Sequence, residues 1–239
     1  MTITATLAIA CALLLLGHYL NGIASAQHSR RVASLRLLAI QEDLEILRLL
    51  QQHRGLGALS DVAAVTLRSA LAANLTQRLQ QRAALPDAYS ISEAWLALRE
   101  TPTDFESHGV LIETVIDSLA QRASLNHEGA RIAQACRELE EVARLRGLCV
   151  IASLQGGCTP ALQGRLEGLC RRVGSGVDME LKRLVGKLER SVVHSAQPRL
   201  SPPECFALVT PLIDARLQRI QQRLQHSVAQ AQPGLPRGA

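Results

Sequence analysis

The chain has 239 residues, 47% of them apolar and only 2% aromatic, with Leu, Ala, Arg and Gln dominant. That is enough for one sizeable domain or two small bundles sharing an interface, and it suits helices better than sheet, which draws on aromatic and β-branched side chains. The formal charge of +5 is mild and spread along the chain, without stacking aromatics, so no nucleic-acid partner is expected.

From Ile3 to Ala24 no side chain is charged, and Leu7 to Leu16 is continuously apolar. About 20 such residues span a bilayer as a helix, so residues 1–26 are expected to form a transmembrane anchor. Ala24-Ser25-Ala26 also resembles a signal-peptidase site, but Met1 to Ala5 lacks the basic residues of a signal peptide. Arg30 and Arg31 follow the run directly, and the positive-inside rule keeps such a flank cytoplasmic. The expectation is a single-pass protein of the inner (cytoplasmic) membrane with its soluble body in the cytoplasm.

The remainder reads as helices with short punctuation. The first helix runs from about Ser29 to Leu56 and is expected to continue from the anchor. Ser60-Asp61 is an N-cap signal for a second helix to about Ala84. Leu85-Pro86-Asp87 breaks the chain, and a short helix from Ser92 to Glu100 follows. Thr101-Pro102-Thr103-Asp104 opens a helix through Gln121, and Asn126 or His127 opens another through Ser153. Gly156-Gly157 and Thr159-Pro160 lead a long kinked segment to about His194, with Gly174 and Gly176 inside it. Pro198 to Pro203 is the last break, with Ser201 as cap and Pro202 at the first helical position, before a helix to about Gln230. The fold expected is all-α, a transmembrane helix followed by up-and-down helical bundles, two of them packed together over residues 27–231. A disordered Pro/Gly-rich tail over 232–239 completes it.

Little in this pattern points to catalysis. Cys11, Cys136, Cys149, Cys158, Cys170 and Cys205 form no CxxC pair and no zinc spacing with histidine. Free thiols acting as small apolar residues in a reducing compartment are expected. His108, His127 and His194 show no metal-ligand spacing, and Gly174-Ser175-Gly176 lacks the strand and the Lys of a phosphate loop. Trp95 reads as a core anchor. Arg216, Arg219 and Arg223 line one side of the last helix, as a solvated face or as a strip for acidic lipid or a partner. No enzyme activity, metal or cofactor is expected.

Two arginines break the apolar pattern. Leu37, Ile40, Leu44 and Leu47 form a seam at alternating 3 and 4 spacing, and seven residues beyond Leu47 stands Arg54, followed by Gly55 and Leu56. Ile132, Cys136, Leu139 and Ala143 form a second seam that reaches Arg146, followed by Gly147 and Leu148. The repeat predicts two guanidinium groups pointing into bundle interiors. Such a charge needs an anionic partner. One candidate is an interior carboxylate such as Asp43, Glu113, Glu141 or Asp214. The other is a small anion from solution, held by the planar N–H forks, with Gly55 and Gly147 allowing close backbone approach. His53 would assist when protonated.

At these residues the sequence resembles the nitrate- and nitrite-sensing (NIT) domain of bacterial receptors, antiterminators and chemoreceptors. Leu49 to Leu56 is similar to that family's first Arg-Gly helix and Glu140 to Leu148 to its second. Asp104 to Ile112 resembles the opening of a middle helix, and Glu204-Cys205-Phe206 through Thr210 to Asp214 its closing helix. Together the segments span about residues 30 to 228. The resemblance implies two packed bundles holding nitrate or nitrite between them, with Arg54 and Arg146 as the matching positions. The chain departs from the family at His53, where Glu is common, at Leu145, and at Cys205, where an aromatic is common. Losing acidic neighbours either makes the site more cationic or marks a site that has drifted from nitrate. Family members pass the signal to a further domain. Nothing after Asp214 is long enough to form one, so output is expected through a partner protein, a second copy of the chain, or the membrane helix. The rival reading is a helical scaffold whose arginines are paired internally.

Overall fold

The computed structural model describes residues 2–82, 88–123 and 127–231, and every regular element among them is helical. Helix α1, Thr2–Leu56, is one uninterrupted helix of 55 residues, about 80 Å long at 1.5 Å per residue. Its buried face begins at Ile40 and runs through Leu44 and Leu47 to Leu50, so the seam read from the sequence is real and the helix projects well beyond the body. The side chain of Leu37 lies outside the described residues, as does that of Cys11.

Helix α2, Val62–Gln81, starts where the Asp61 carboxylate accepts the Ala64 amide at 2.9 Å. Helix α3, Ala88–Leu98, buries Trp95 at its centre, whose indole N–H donates to Thr76 at 2.9 Å. Helix α4 covers Phe105–Ala123 and α5 covers His127–Leu154. The break expected at 85–87, the start at Asn126 and the tail at 232–239 fall outside the described residues.

The segment expected to be one kinked helix to His194 is two helices instead. Helix α6, Pro160–Gly174, is capped by Thr159, and α7, Met179–Leu188, continues as a π-helical turn over Glu189–Val193. Gly174 and Gly176 do more than kink the chain here. Asp178 accepts the amides of both Glu180 and Leu181, which supplies a fresh start for the backbone donors of a second helix. Helix α8, Pro202–Ala231, opens with Ser201 donating its amide and its hydroxyl to Glu204 at 2.8 and 2.6 Å, the reciprocal half of a capping box.

The two halves of the chain repeat one plan. Helices α1 to α4 pack in succession, with α4 returning against α1. Helices α5, α6 and α7 pack likewise, and α8 returns against α5 over the longest helix–helix contact in the molecule. The halves meet where α1, α4, α5 and α8 come together, around one continuous apolar core. Each fully buried leucine or isoleucine there contributes about 1.5–3 kcal/mol of burial. Cys136, Cys149, Cys170 and Cys205 are buried in that core as free thiols, and burial pushes those of Cys136 and Cys170 up to about 12. They act as small apolar groups.

The N-terminal transmembrane helix expected over residues 1–26 is not supported by the structure. Among the described residues no helix is long and apolar enough to cross a membrane. The side chains of residues 1–12, which carry half of the uncharged run, lie outside that description. From Leu13 onward Leu14, Leu15 and Tyr19 are exposed, but His18, Asn21 and Gln27 interrupt them.

Candidate functional site

The two seams deliver their arginines to the interior. Arg54 is 3% exposed and Arg146 is 1% exposed, the first in the last turn of α1 and the second further from the end of α5. Their surroundings differ in the feature that matters most, the counter-charge.

Arg54 has its own carboxylate. Its Nη1 donates to Glu140 Oε1 at 2.5 Å and its Nη2 to Oε2 at 3.1 Å, with both side chains 1% exposed. This is the bidentate fork that suits a guanidinium to a planar carboxylate. The Gln51 amide donates a third bond to Glu140 at 3.0 Å. Arg144, one turn after Glu140 and at the solvent edge, brings its Nε to 4.0 Å from Glu140 and its Nη2 to 3.9 Å from Glu106. The Arg54 guanidinium lies 4.7 Å above the ring of Phe105.

Arg146 has none. Its Nη1 donates to the Thr210 hydroxyl at 3.0 Å and its Nη2 to the Gln51 carbonyl at 2.9 Å, and its guanidinium sits 4.4 Å above the ring of Phe206. Its Nε has no partner, and neither has the amide oxygen of Gln51. Burial, and then the charge of Arg54, pull the Arg146 guanidinium down to about 10, so it stays charged at neutral pH but at a cost. The interior carboxylates expected as partners are engaged differently. Asp43 pairs with Arg82 and Arg122, Glu141 pairs with Arg172, and no ion pair joins Glu113 or Asp214 to either arginine.

The glycines complete a reciprocal arrangement. A methyl group on Gly55 would sit 2.9 Å from Arg146 Nη2 and 3.0 Å from the Phe206 ring. One on Gly147 would overlap the edge of Phe105, the ring under Arg54. Each phenylalanine therefore touches the guanidinium of one Arg-Gly helix and the glycine of the other. Exchanging α1 with α5 and α4 with α8 maps one pair of contacts onto the other. Thr210 lies one turn past Phe206, and the matching residue past Phe105 is Gly109, whose open side faces Arg144 and Arg54. That difference leaves room for Glu140 on one side and puts a hydroxyl on the other.

Gly147→Ala is expected to lower stability by about 1 kcal/mol. The ring overlap costs about 1–3 kcal/mol, against a helix-propensity gain of up to about 1 kcal/mol. Gly164→Ala, in α6 with nothing near the added methyl, is expected to be stabilising by about 0.5–1 kcal/mol. Urea midpoints of the two variants give the comparison.

His53 turns away from the guanidinium groups. It packs edge-on against Trp95 at 5.0 Å and its Nδ1 lies 2.9 Å from His108 Nε2. His108 Nδ1 lies 2.6 Å from the Asp104 carbonyl, which can only accept, so that nitrogen carries the proton and Nε2 accepts from His53. Burial, then the charges of His108 and Arg68, hold His53 down to about 4, and it is neutral at pH 7.

Glu140, Gln51, Phe105, Phe206 and Thr210 are the site residues that periodicity missed. The two phenylalanines are the only two in the chain, each near the start of the closing helix of its half, and that was a usable signal. Compared with family models, with curated proteins and with solved structures, the chain matches none.

Proposed function

We propose that this protein is a non-enzymatic sensor of a small oxyanion, nitrate or nitrite, held at Arg146 beside Arg54, Gly55 and Gly147. One observation carries the reading. Arg146 is a wholly buried guanidinium that has, among the described residues, no carboxylate in ion-pair reach and only a hydroxyl and a backbone carbonyl as partners, a state that is costly unless an anion joins it. Phe206 and Gly55 close the site, so an anion reaches it only if α8 or α1 shifts. Occupancy then biases which packing of the two halves prevails. Helix α1 runs unbroken from that site to Thr2 and is the natural mechanical output. The uncharged run from Ile3 to Ala24 supports anchoring that output in the inner membrane, with a partner protein or a second copy reading the movement.

The rival reading, a helical scaffold, is favoured by the Arg54–Glu140 pair, since the charge of that arginine is answered within the protein although its Nε–H is not. Thermal unfolding of the full chain in detergent, with millimolar nitrate, nitrite, chloride or sulfate, separates the two. A ligand bound only by the folded state stabilises it by about 2.7 kcal/mol at a hundredfold excess over Kd. The sensor reading expects a rise in Tm with nitrate or nitrite, none with chloride, and loss of the rise in Arg146→Met. A Tm indifferent to all four anions leaves the scaffold.

A further inference from the structure

Glu140 is more than a partner for one arginine, because it sets the charge that the whole site presents. Two guanidinium groups converge here, close enough that Arg54 is the main charge acting on Arg146. Glu140 cancels the charge of Arg54 through a bidentate bond in the buried interior. It is also held from the Arg146 side, since Gln51 donates its amide to Glu140 while its carbonyl accepts from Arg146. Arg144 contributes little to the balance, being one-third exposed and shared with Glu106. One uncompensated positive charge remains, on Arg146.

We propose that Glu140 is the charge selector of the site, admitting monovalent oxyanions and rejecting divalent ones. This rests on the reading of Arg146 as an anion site and adds to it which anions are taken. A monovalent anion at Arg146 brings the buried cluster to neutrality. A divalent anion leaves a net negative charge beside Glu140, in a medium where charges interact far more strongly than in water. The guanidinium fork alone does not separate nitrate from sulfate, because each presents a pair of oxygens to it.

The test is titration calorimetry with sodium nitrate and sodium sulfate on four versions of the full chain in detergent. Wild-type protein is expected to prefer nitrate by about tenfold or more. Glu140→Gln keeps the shape and the Gln51 contact but adds one positive charge to the balance, and should bring sulfate to parity or better. Arg54→Met leaves Glu140 to cancel Arg146, and should abolish binding of both anions although Arg146 is untouched. Arg54→Met combined with Glu140→Leu removes the pair together, restores the single charge, and should restore nitrate binding with its preference. That double variant also tests the idea if Glu140→Gln does not fold. An unchanged nitrate-to-sulfate ratio in Glu140→Gln, or a double variant that stays silent, overturns the selector while leaving the anion site in place. Failure of wild type and every variant to bind either anion overturns both readings.

Discussion

Replacing Arg54 with methionine is expected to lower the unfolding free energy by about 3–5 kcal/mol, whereas the same replacement at Arg146 leaves it unchanged or raises it in anion-free buffer. The two arginines are nearly equally buried, so burial alone predicts similar effects. Counter-charge decides otherwise. Without Arg54 the Glu140 carboxylate remains at 1% exposure with the Gln51 amide, the edge of Arg144 and the non-bonded charge of Arg146 in place of its bidentate partner, and breaking a buried pair by removing one partner is costly. Without Arg146 no carboxylate is orphaned. The lost bonds to Thr210 and to the Gln51 carbonyl are worth about 1 kcal/mol each. Against them stands the relief of keeping a charged group whose pKa has fallen from 12.5 to about 10, about 3 kcal/mol at 1.36 kcal/mol per unit. The signs therefore differ. Urea denaturation of both variants in buffer free of nitrate and nitrite gives the answer, and equal large losses would mean that Arg146 is a structural member of the core. Adding nitrate should raise the stability of the wild type relative to Arg146→Met, because only the wild type gains.

Stability is also expected to fall by about 3 kcal/mol as the pH drops from about 6.5 to about 4, with His53 as the main cause. The folded pKa of this base is depressed, so the native state holds it neutral while the unfolded chain takes up a proton. Its contribution is complete above the unfolded value of 6.5 and is lost as the pH falls toward the folded value of about 4. His108 is depressed as well, chiefly by burial, and adds to the same slope. The geometry explains why neither ring accepts a second proton easily. His108 already donates to the Asp104 carbonyl and accepts from His53, while Arg54 acts on it from α1 and Arg68 acts on His53 from α2. Protonating His108 Nε2 would set two donors against each other. Urea midpoints between pH 7.5 and 4.5, assuming the usual two-state behaviour, should show the slope in wild type and a shallower one in His53→Gln. A slope of the same size in His53→Gln would move the cause to His108, whose pKa burial also lowers from 6.5.

Much of the fold is legible in the sequence, because helix ends are local chemistry. Asp61 and Thr159 cap the helices they were expected to cap, and Ser201 stands where a cap was expected, with its amide and hydroxyl donating to Glu204. The division between α6 and α7 is local as well, though weakly marked. Asp178 starts a second helix a few residues past Gly174, and a lone Asp between Val and Met is a weak signal beside two glycines. The seams placed Arg54 and Arg146 inside for the same reason, since a 3-4 spacing of apolar residues defines which way a helix faces.

What the sequence by itself determined, then, is the helical class, most of the helix boundaries and the burial of two guanidinium groups, all consequences of backbone capping and helical period. What only the tertiary structure decided is which charge answers which. Glu140 joins Arg54 across 86 residues, and nothing in the period of α5 marks it above its neighbour Glu141, which is half-buried and pairs with Arg172 instead. Helix α5 is surrounded by α1, α4, α6 and α8, so its buried arc is far wider than one seam and takes in Glu140 and Leu145 together. The width of that arc depends on how many helices close around it. The contrast between a paired Arg54 and an unpaired Arg146 follows from it, and so does the site.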